Sequence, residues 1–133
     1  MPVSEKGVPP RIRLNAVVLD CPDVAALSDF YVRFLGWQRS YAEEDEWAEV
    51  VDPSSGAKIA FQQNEDYLPP VWPEEPGKQQ QMLHLDFIVG DETQREEAVR
   101  HAIACGAARA AKQYSDAWTV MLDPVGHPFC IVV

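Results

Sequence analysis

A chain of 133 residues, 47% of them hydrophobic, suits one domain and can bury enough apolar surface to fold without covalent staples. Its 21 acidic residues outweigh 11 basic ones, and the resulting formal charge of −10, with the basic residues scattered singly, argues against nucleic-acid and anionic-membrane partners. Cys21, Cys105 and Cys130 are an odd set without metal-ribbon spacing, each in an apolar segment, which favours reduced thiols in a cytoplasmic protein over a disulfide framework.

The opening "MPVSEKGVPPR" lacks the apolar stretch of a secretion signal, and nowhere do 18 consecutive apolar residues occur, so residues 1–10 are expected to be a tail on a soluble domain spanning 11–133. After the tail the chain is written twice. Setting "AVVLDCPDVAALSDFYVRFLGW" from Ala16 above "HLDFIVGDETQREEAVRHAIACGA" from His84 aligns a strand with a strand and Asp23 with Asp91. Each aspartate is placed to cap a helix by accepting from its free N–H groups, and Asp91 with Gln94 has the spacing of a capping box. The spacing predicts helices near 23–35 and 91–105. The expected apolar stripes are Val24, Leu27, Tyr31, Phe34 and Leu35 on the first, and Ala98, Val99, Ala102 and Ile103 on the second, with stops at Gly36 and Gly106.

The later parts of the repeats match as well. "WAEVVDPSSGAKIAFQQ" from Trp47 and "WTVMLDPVGHPFCIVV" from Trp118 each read as strand, Asp-Pro turn with glycine, and strand, while "QRSYAE" and "AAKQYSD" supply a further strand apiece. The expectation is an α+β fold of two βαβββ repeats, about 11–63 and 82–133, whose sheets curve around a shared cleft. Between them "NEDYLPPVWPEEPGKQQQ", residues 64–81, has four prolines and no periodicity, and reads either as a stiff linker or as a lid carrying Trp72 to a pocket rim or dimer contact.

Within "MLHLDFIV", residues 82–89, strand alternation puts Leu83, Leu85, Phe87 and Val89 on one face and His84, Asp86 and Ile88 on the other. The first face needs a core. The second holds two titratable groups that either serve a site or satisfy one another.

The marks "VVLDCPD" before "DFYVRFLGW", then "LHLDFIVGD" and "DPVGHPFCIV", with "PPVWPEEP" between, resemble the vicinal oxygen chelate superfamily, which takes in glyoxalase I, bleomycin-resistance proteins and extradiol dioxygenases, and most of all its glyoxalase-like branch. The resemblance covers nearly all of Arg11 to Val133. It implies that one position on the first strand and one on the last strand of each repeat would supply metal ligands, and by carry-over these fall on Ala16, Ala60, His84 and Cys130. Alanine binds no cation. No cofactor is therefore expected; a divalent metal, if one binds, would rest on His84 and Cys130 with Asp86 beside them.

The two alanines leave apolar volume, so the expected ligand-binding cleft comprises Ala16, Ala60, Gln62, His84, Asp86, Cys130 and Trp72, and the expected partner is a small organic molecule. Three functions stay open. The first is ligand binding without chemistry, of the bleomycin-resistance type; the second is a metal-dependent lyase, isomerase or dioxygenase; the third is a metal-free enzyme with His84 as general base oriented by Asp86. Cys130 reads as an inert buried thiol or as a nucleophile served by His84. His127 reads as a turn residue, His101 as solvent-facing, and Trp47 and Trp118 as core or dimer-face aromatics, or as rings that stack on a flat ligand. Exposed sheet edges lead to the expectation of a homodimer.

Overall fold

Two aspartate-started helices, each embedded among strands of alternating polarity, produce the same unit twice in the computed structural model, which describes residues 7–133. The first unit consists of β1 (Val17–Cys21), α1 (Val24–Leu35), β2 (Gln38–Glu43), β3 (Trp47–Val51) and β4 (Lys58–Gln63). The second consists of β5 (Leu85–Ile88), α2 (Glu92–Cys105), β6 (Ala108–Arg109), β7 (Trp118–Leu122) and β8 (Pro128–Val132). The strands form two four-stranded mixed sheets, ordered β1-β4-β3-β2 and β5-β8-β7-β6, in which only β1 with β4 and β5 with β8 run parallel. This is the α+β arrangement of duplicated βαβββ units. Most of the expected tail, residues 1–6, lies outside the described residues.

Both helices start where the sequence places their caps. Asp23 accepts from the Ala26 N–H at 3.1 Å and Asp91 from the Gln94 N–H at 2.8 Å. The capping box closes one residue early: the Gln94 side chain accepts from the Gly90 N–H at 2.7 Å rather than from its cap residue. At the far end of α1, Gly36 takes φ 69°, a left-handed conformation that releases its N–H to the Val32 carbonyl and ends the helix.

Helix α1 carries the centre of the core. Phe30 and Tyr31 are adjacent in sequence and both fully buried, because α1 is covered on two sides: Tyr31 stacks on Phe61 of β4, while Phe30 and Phe34 meet Phe129 of β8. The two repeats thus share one aromatic cluster, into which Phe87 also packs against Phe34 and Phe129. A polar tie crosses the same boundary, where the Tyr31 phenol donates to Asp123 in the turn before β8 at 2.8 Å.

Three local expectations are corrected. The strand expected over 82–89 is ordered as β5 only from Leu85, and Leu83 is 57% exposed; Met82 and Leu83 belong to the end of the Pro-rich connection and have no core opposite them. The strand expected from "AAKQYSD" begins and ends earlier, at Ala108–Arg109. Of the expected strand only Ala110 pairs with β7 through its backbone, its N–H donating to the Val120 carbonyl at 3.0 Å; beyond it the Gln113 amide donates to the carbonyls of Ala110 and Val120 and accepts from the Val120 N–H, all at 2.8 Å. A side-chain amide thereby does what a paired backbone would do. On α2 the buried stripe is Arg95, Val99, Ala102 and Cys105, with Ile103 48% exposed, because the stripe turns toward β6 and β8 rather than along Ile103.

Candidate functional site

The register of the second sheet sorts its side chains cleanly. Asp86 pairs with Cys130 across β5 and β8, and Val120 pairs with Cys130 across β8 and β7. Period-2 alternation then places Asp86 and Ile88, Pro128, Cys130 and Val132, and Trp118, Val120 and Leu122 on one face, while Leu85, Phe87, Phe129, Ile131 and Met121 enter the core from the other. His84, just ahead of β5, continues the first face.

That face forms the floor of a cavity of about 390 Å³ lined by Trp72, Gln81, His84, Asp86, Tyr114, Trp118, Val120, Pro128, Cys130 and Val132. The Pro-rich connection supplies one wall. Trp72 is held there by donating its indole N–H to the Lys112 carbonyl at 3.0 Å and by an edge-to-face contact with Tyr114 at 5.4 Å. The connection is thus fastened across the second sheet, and is tied again where the Tyr67 phenol donates to the Val125 carbonyl at 2.7 Å.

On the floor, His84 Nε2 lies 3.2 Å from Asp86 Oδ1, and one ligating atom each from His84, Asp86 and Cys130 lie within 4.8 Å of one another. The His84 and Asp86 side chains remain 44% and 57% exposed, so a molecule in the cavity can reach them. Cys130 is buried. Desolvation, reinforced by the negative charge of Asp86 and a hydrogen bond to it, pushes the Cys130 thiol up to about 11. A thiol held protonated in this way is a poor nucleophile, which speaks for the inert reading of Cys130.

The seven residues expected to line one cleft divide between different places. His84, Asp86, Cys130 and Trp72 share the cavity just described. Ala16 lines a separate hollow between the first strands of the two repeats, beside Val17, Ile59 and Leu85, which Asp86 also borders. Gln62 faces a polar groove with Trp47, Glu46 and Glu65. Ala60 is fully buried. Beside it on β3, Glu49 accepts from the Trp47 indole at 2.8 Å and pairs with Lys58 at 3.3 Å, and Glu49 stands opposite Ala60. The Trp47 hydrogen bond, then Lys58, hold the Glu49 carboxyl below its usual range. Ala16 and Ala60 therefore do not open onto the cavity that holds His84, Asp86 and Cys130.

The remaining histidines act as fasteners. His127 Nε2 lies 2.7 Å from the Asp20 carbonyl, joining the second Asp-Pro turn to β1. His101 is exposed but its Nε2 lies 3.0 Å from the Phe34 carbonyl, bridging α2 to the end of α1. Sequence reading missed Gln81 and Tyr114 as lining residues. Both sit in irregular segments where no period signals a face. Trp118, read from the sequence as a core or dimer-face aromatic with stacking on a flat ligand as the alternative, lines the cavity two residues before Val120 on one strand.

Two βαβββ repeats, with a histidine heading the open face of the second sheet, define the architecture of the glyoxalase, bleomycin-resistance and dioxygenase proteins of the vicinal oxygen chelate superfamily. The chain belongs to the glyoxalase-like domain family, whose model matches residues 16–132. Among solved structures it is similar to a possible glyoxalase from Bacillus cereus, with a TM-score of 0.69 and 15% identity over 92% of this chain and 100% of that one. It is also similar to a glyoxalase/bleomycin resistance protein/dioxygenase family enzyme from Burkholderia phytofirmans PsJN, with a TM-score of 0.67 and 22% identity over 88% and 94% of the two chains. A third is a glyoxylase/bleomycin resistance protein/dioxygenase domain from Frankia sp. EAN1pec, with a TM-score of 0.66 and 18% identity over 93% and 98%. No curated protein matches the chain.

Proposed function

We propose that this glyoxalase-like protein binds a small organic molecule in the cavity over the second sheet, without a resident metal. The observation that carries the reading is the cavity itself: about 390 Å³, walled by Trp72, Tyr114, Trp118, Val120, Pro128 and Val132, with His84, Asp86 and Gln81 as its few polar groups. Its volume lies at the small end for ligand pockets, which fits a metabolite-sized compound better than a glycopeptide. The four-position metal site of the superfamily does not fit this chain, because Ala16 and Ala60 carry no donor atom and Ala60 is buried. We further propose a cytoplasmic homodimer. The three free, buried cysteines and the exposed apolar side chains Val18, Ile88 and Trp118 on open sheet faces support it. Among the described residues no helix is long and apolar enough to cross a membrane.

Mass spectrometry of the purified protein under native conditions tests the first reading. A bound small molecule, released on denaturation and absent from Trp72→Ala protein, is the expected result; wild-type protein that neither retains nor is stabilised by any small molecule refutes it.

A second reading rests on the approach of His84, Asp86 and Cys130, since a nitrogen, an oxygen and a sulfur donor within 4.8 Å of one another can converge on a zinc-type cation and leave a position open. Such an ion would supply Lewis-acid chemistry. Binding there would release the Cys130 proton, because metal ligation requires thiolate. Stoichiometric zinc that survives dialysis in wild-type protein and is lost in His84→Ala would place this reading first.

A further inference from the structure

Resting on the small-molecule reading, we propose that the cavity selects a flat ligand bearing a cationic amine, with Asp86 as counter-ion and the indole rings of Trp72 and Trp118 as its walls. Three observations converge. First, the lining contains one carboxylate, that of Asp86, and neither lysine nor arginine. Asp86 is open to the cavity, and its contacts with His84 and Cys130 leave part of its acceptor capacity free. An anionic ligand would meet this carboxylate with no lysine or arginine in the lining to offset it, and with His84 already in contact with it.

Second, Gln81 lines the same cavity and holds a buried Oε1 that has no hydrogen-bond partner. A buried acceptor left unpaired costs stability, and a turn of the Gln81 side chain toward the cavity would let a ligand N–H pair with it. Third, the walls are aromatic. Tyr114 already has a cation near it, with Lys112 Nζ 5.1 Å from its ring centroid, so the ring is engaged from within the chain. Trp72 and Trp118 are left to stack on a flat molecule or face its ammonium group, and indole is the best such partner among side chains. The net charge of −10 adds a long-range attraction for cations. Neither an aromatic wall nor an acidic residue alone would specify this class; their meeting in one cavity, without lysine or arginine in its lining, does.

The test is calorimetric titration at pH 8 and low salt with three matched probes: 1-naphthylmethylamine, 1-naphthylmethanol and 1-naphthoate. The amine is expected to bind about tenfold more tightly than the alcohol, the order of effect of one charge-assisted hydrogen bond, and the carboxylate more weakly than either. Because Asp86 is exposed, Asp86→Asn should fold normally; it should reduce the affinity for the amine to that for the alcohol while leaving the alcohol unchanged. Trp72→Ala should weaken amine and alcohol alike. Equal binding of amine and alcohol to wild-type protein, or a preference that survives Asp86→Asn, overturns the assignment of ligand class while leaving the small-molecule reading intact. If none of the probes binds the class assignment fails, and if native mass spectrometry also finds no retained compound both readings fail together.

Discussion

Removing one oxygen atom from the core, by Tyr31→Phe, tests the polar tie between the repeats. Tyr31 is fully buried, and its phenol donates to Asp123 Oδ2 at 2.8 Å, while Oδ1 accepts from the Val125 and His127 N–H groups at 3.0 Å each. Burial raises the Asp123 carboxyl above the usual carboxylate range, opposed by His127 and by these hydrogen bonds. A hydrogen bond to an ionised group contributes about 1.5 to 3 kcal/mol and a neutral one about 1 kcal/mol, so the variant should lose about 2 kcal/mol where Asp123 is ionised and about half that where it is protonated. The sign with pH follows from proton binding. A carboxyl raised in the folded state holds more protons there than in the unfolded chain between its ordinary and its raised value, so it contributes stability at acid pH that is lost as pH rises through that window. Phenylalanine at position 31 raises the carboxyl further and enlarges the loss. Urea unfolding followed by tryptophan fluorescence at pH 4 and pH 7.5 should therefore show the gap between wild type and Tyr31→Phe widening with pH, and falling to a pH-independent value of about 1 kcal/mol in an Asp123→Asn background, whose amide carbonyl still accepts from the phenol. A gap below about 0.5 kcal/mol, or one that is constant across pH, would refute the reasoning.

Other consequences are simpler to check. Phe129→Ala should cost about 3 to 5 kcal/mol by thermal or urea unfolding, because Phe129 is fully buried among Phe30, Phe34 and Phe87, whereas His84→Ala on the open face should change stability by less than about 0.5 kcal/mol. Gln113→Ala removes three hydrogen bonds of 2.8 Å and should cost about 2 kcal/mol, with hydrogen exchange of the Val120 amide accelerated selectively; unchanged exchange would show that the side chain is not holding β7. Iodoacetamide should modify Cys130 slowly at pH 7.5 and faster as pH approaches 11, and modification at the rate of a free thiol would contradict its protonated state. In Asp86→Asn protein the same reaction should speed up, since a charge that opposes the thiolate is gone.

What the sequence determined by itself was everything that repeats with a local period. Asp23 and Asp91 cap their helices because a capping carboxylate needs only the N–H groups of the next turn. Leu85 and Phe87 face inward and Asp86 outward because side chains on a strand alternate. The duplication of these local signals, and the resemblance they carry, were enough for the family and the α+β plan. Tertiary structure alone decided which faces are open. Ala60 lies at the position matching Cys130, yet Ala60 is fully buried beside the linked Trp47, Glu49 and Lys58 of its sheet while Cys130 floors a cavity. It also decided that the 64–81 connection carries Trp72 to the second sheet rather than the first, through a hydrogen bond to Lys112 forty residues away. No period in the chain records such contacts, because they depend on the closure of long loops and on the packing of side chains contributed by different elements. Two repeats of like pattern therefore share a backbone plan but not a site: pattern sets the direction of each side chain, and the neighbours brought to it by folding set whether that direction leads to a filled space or an empty one.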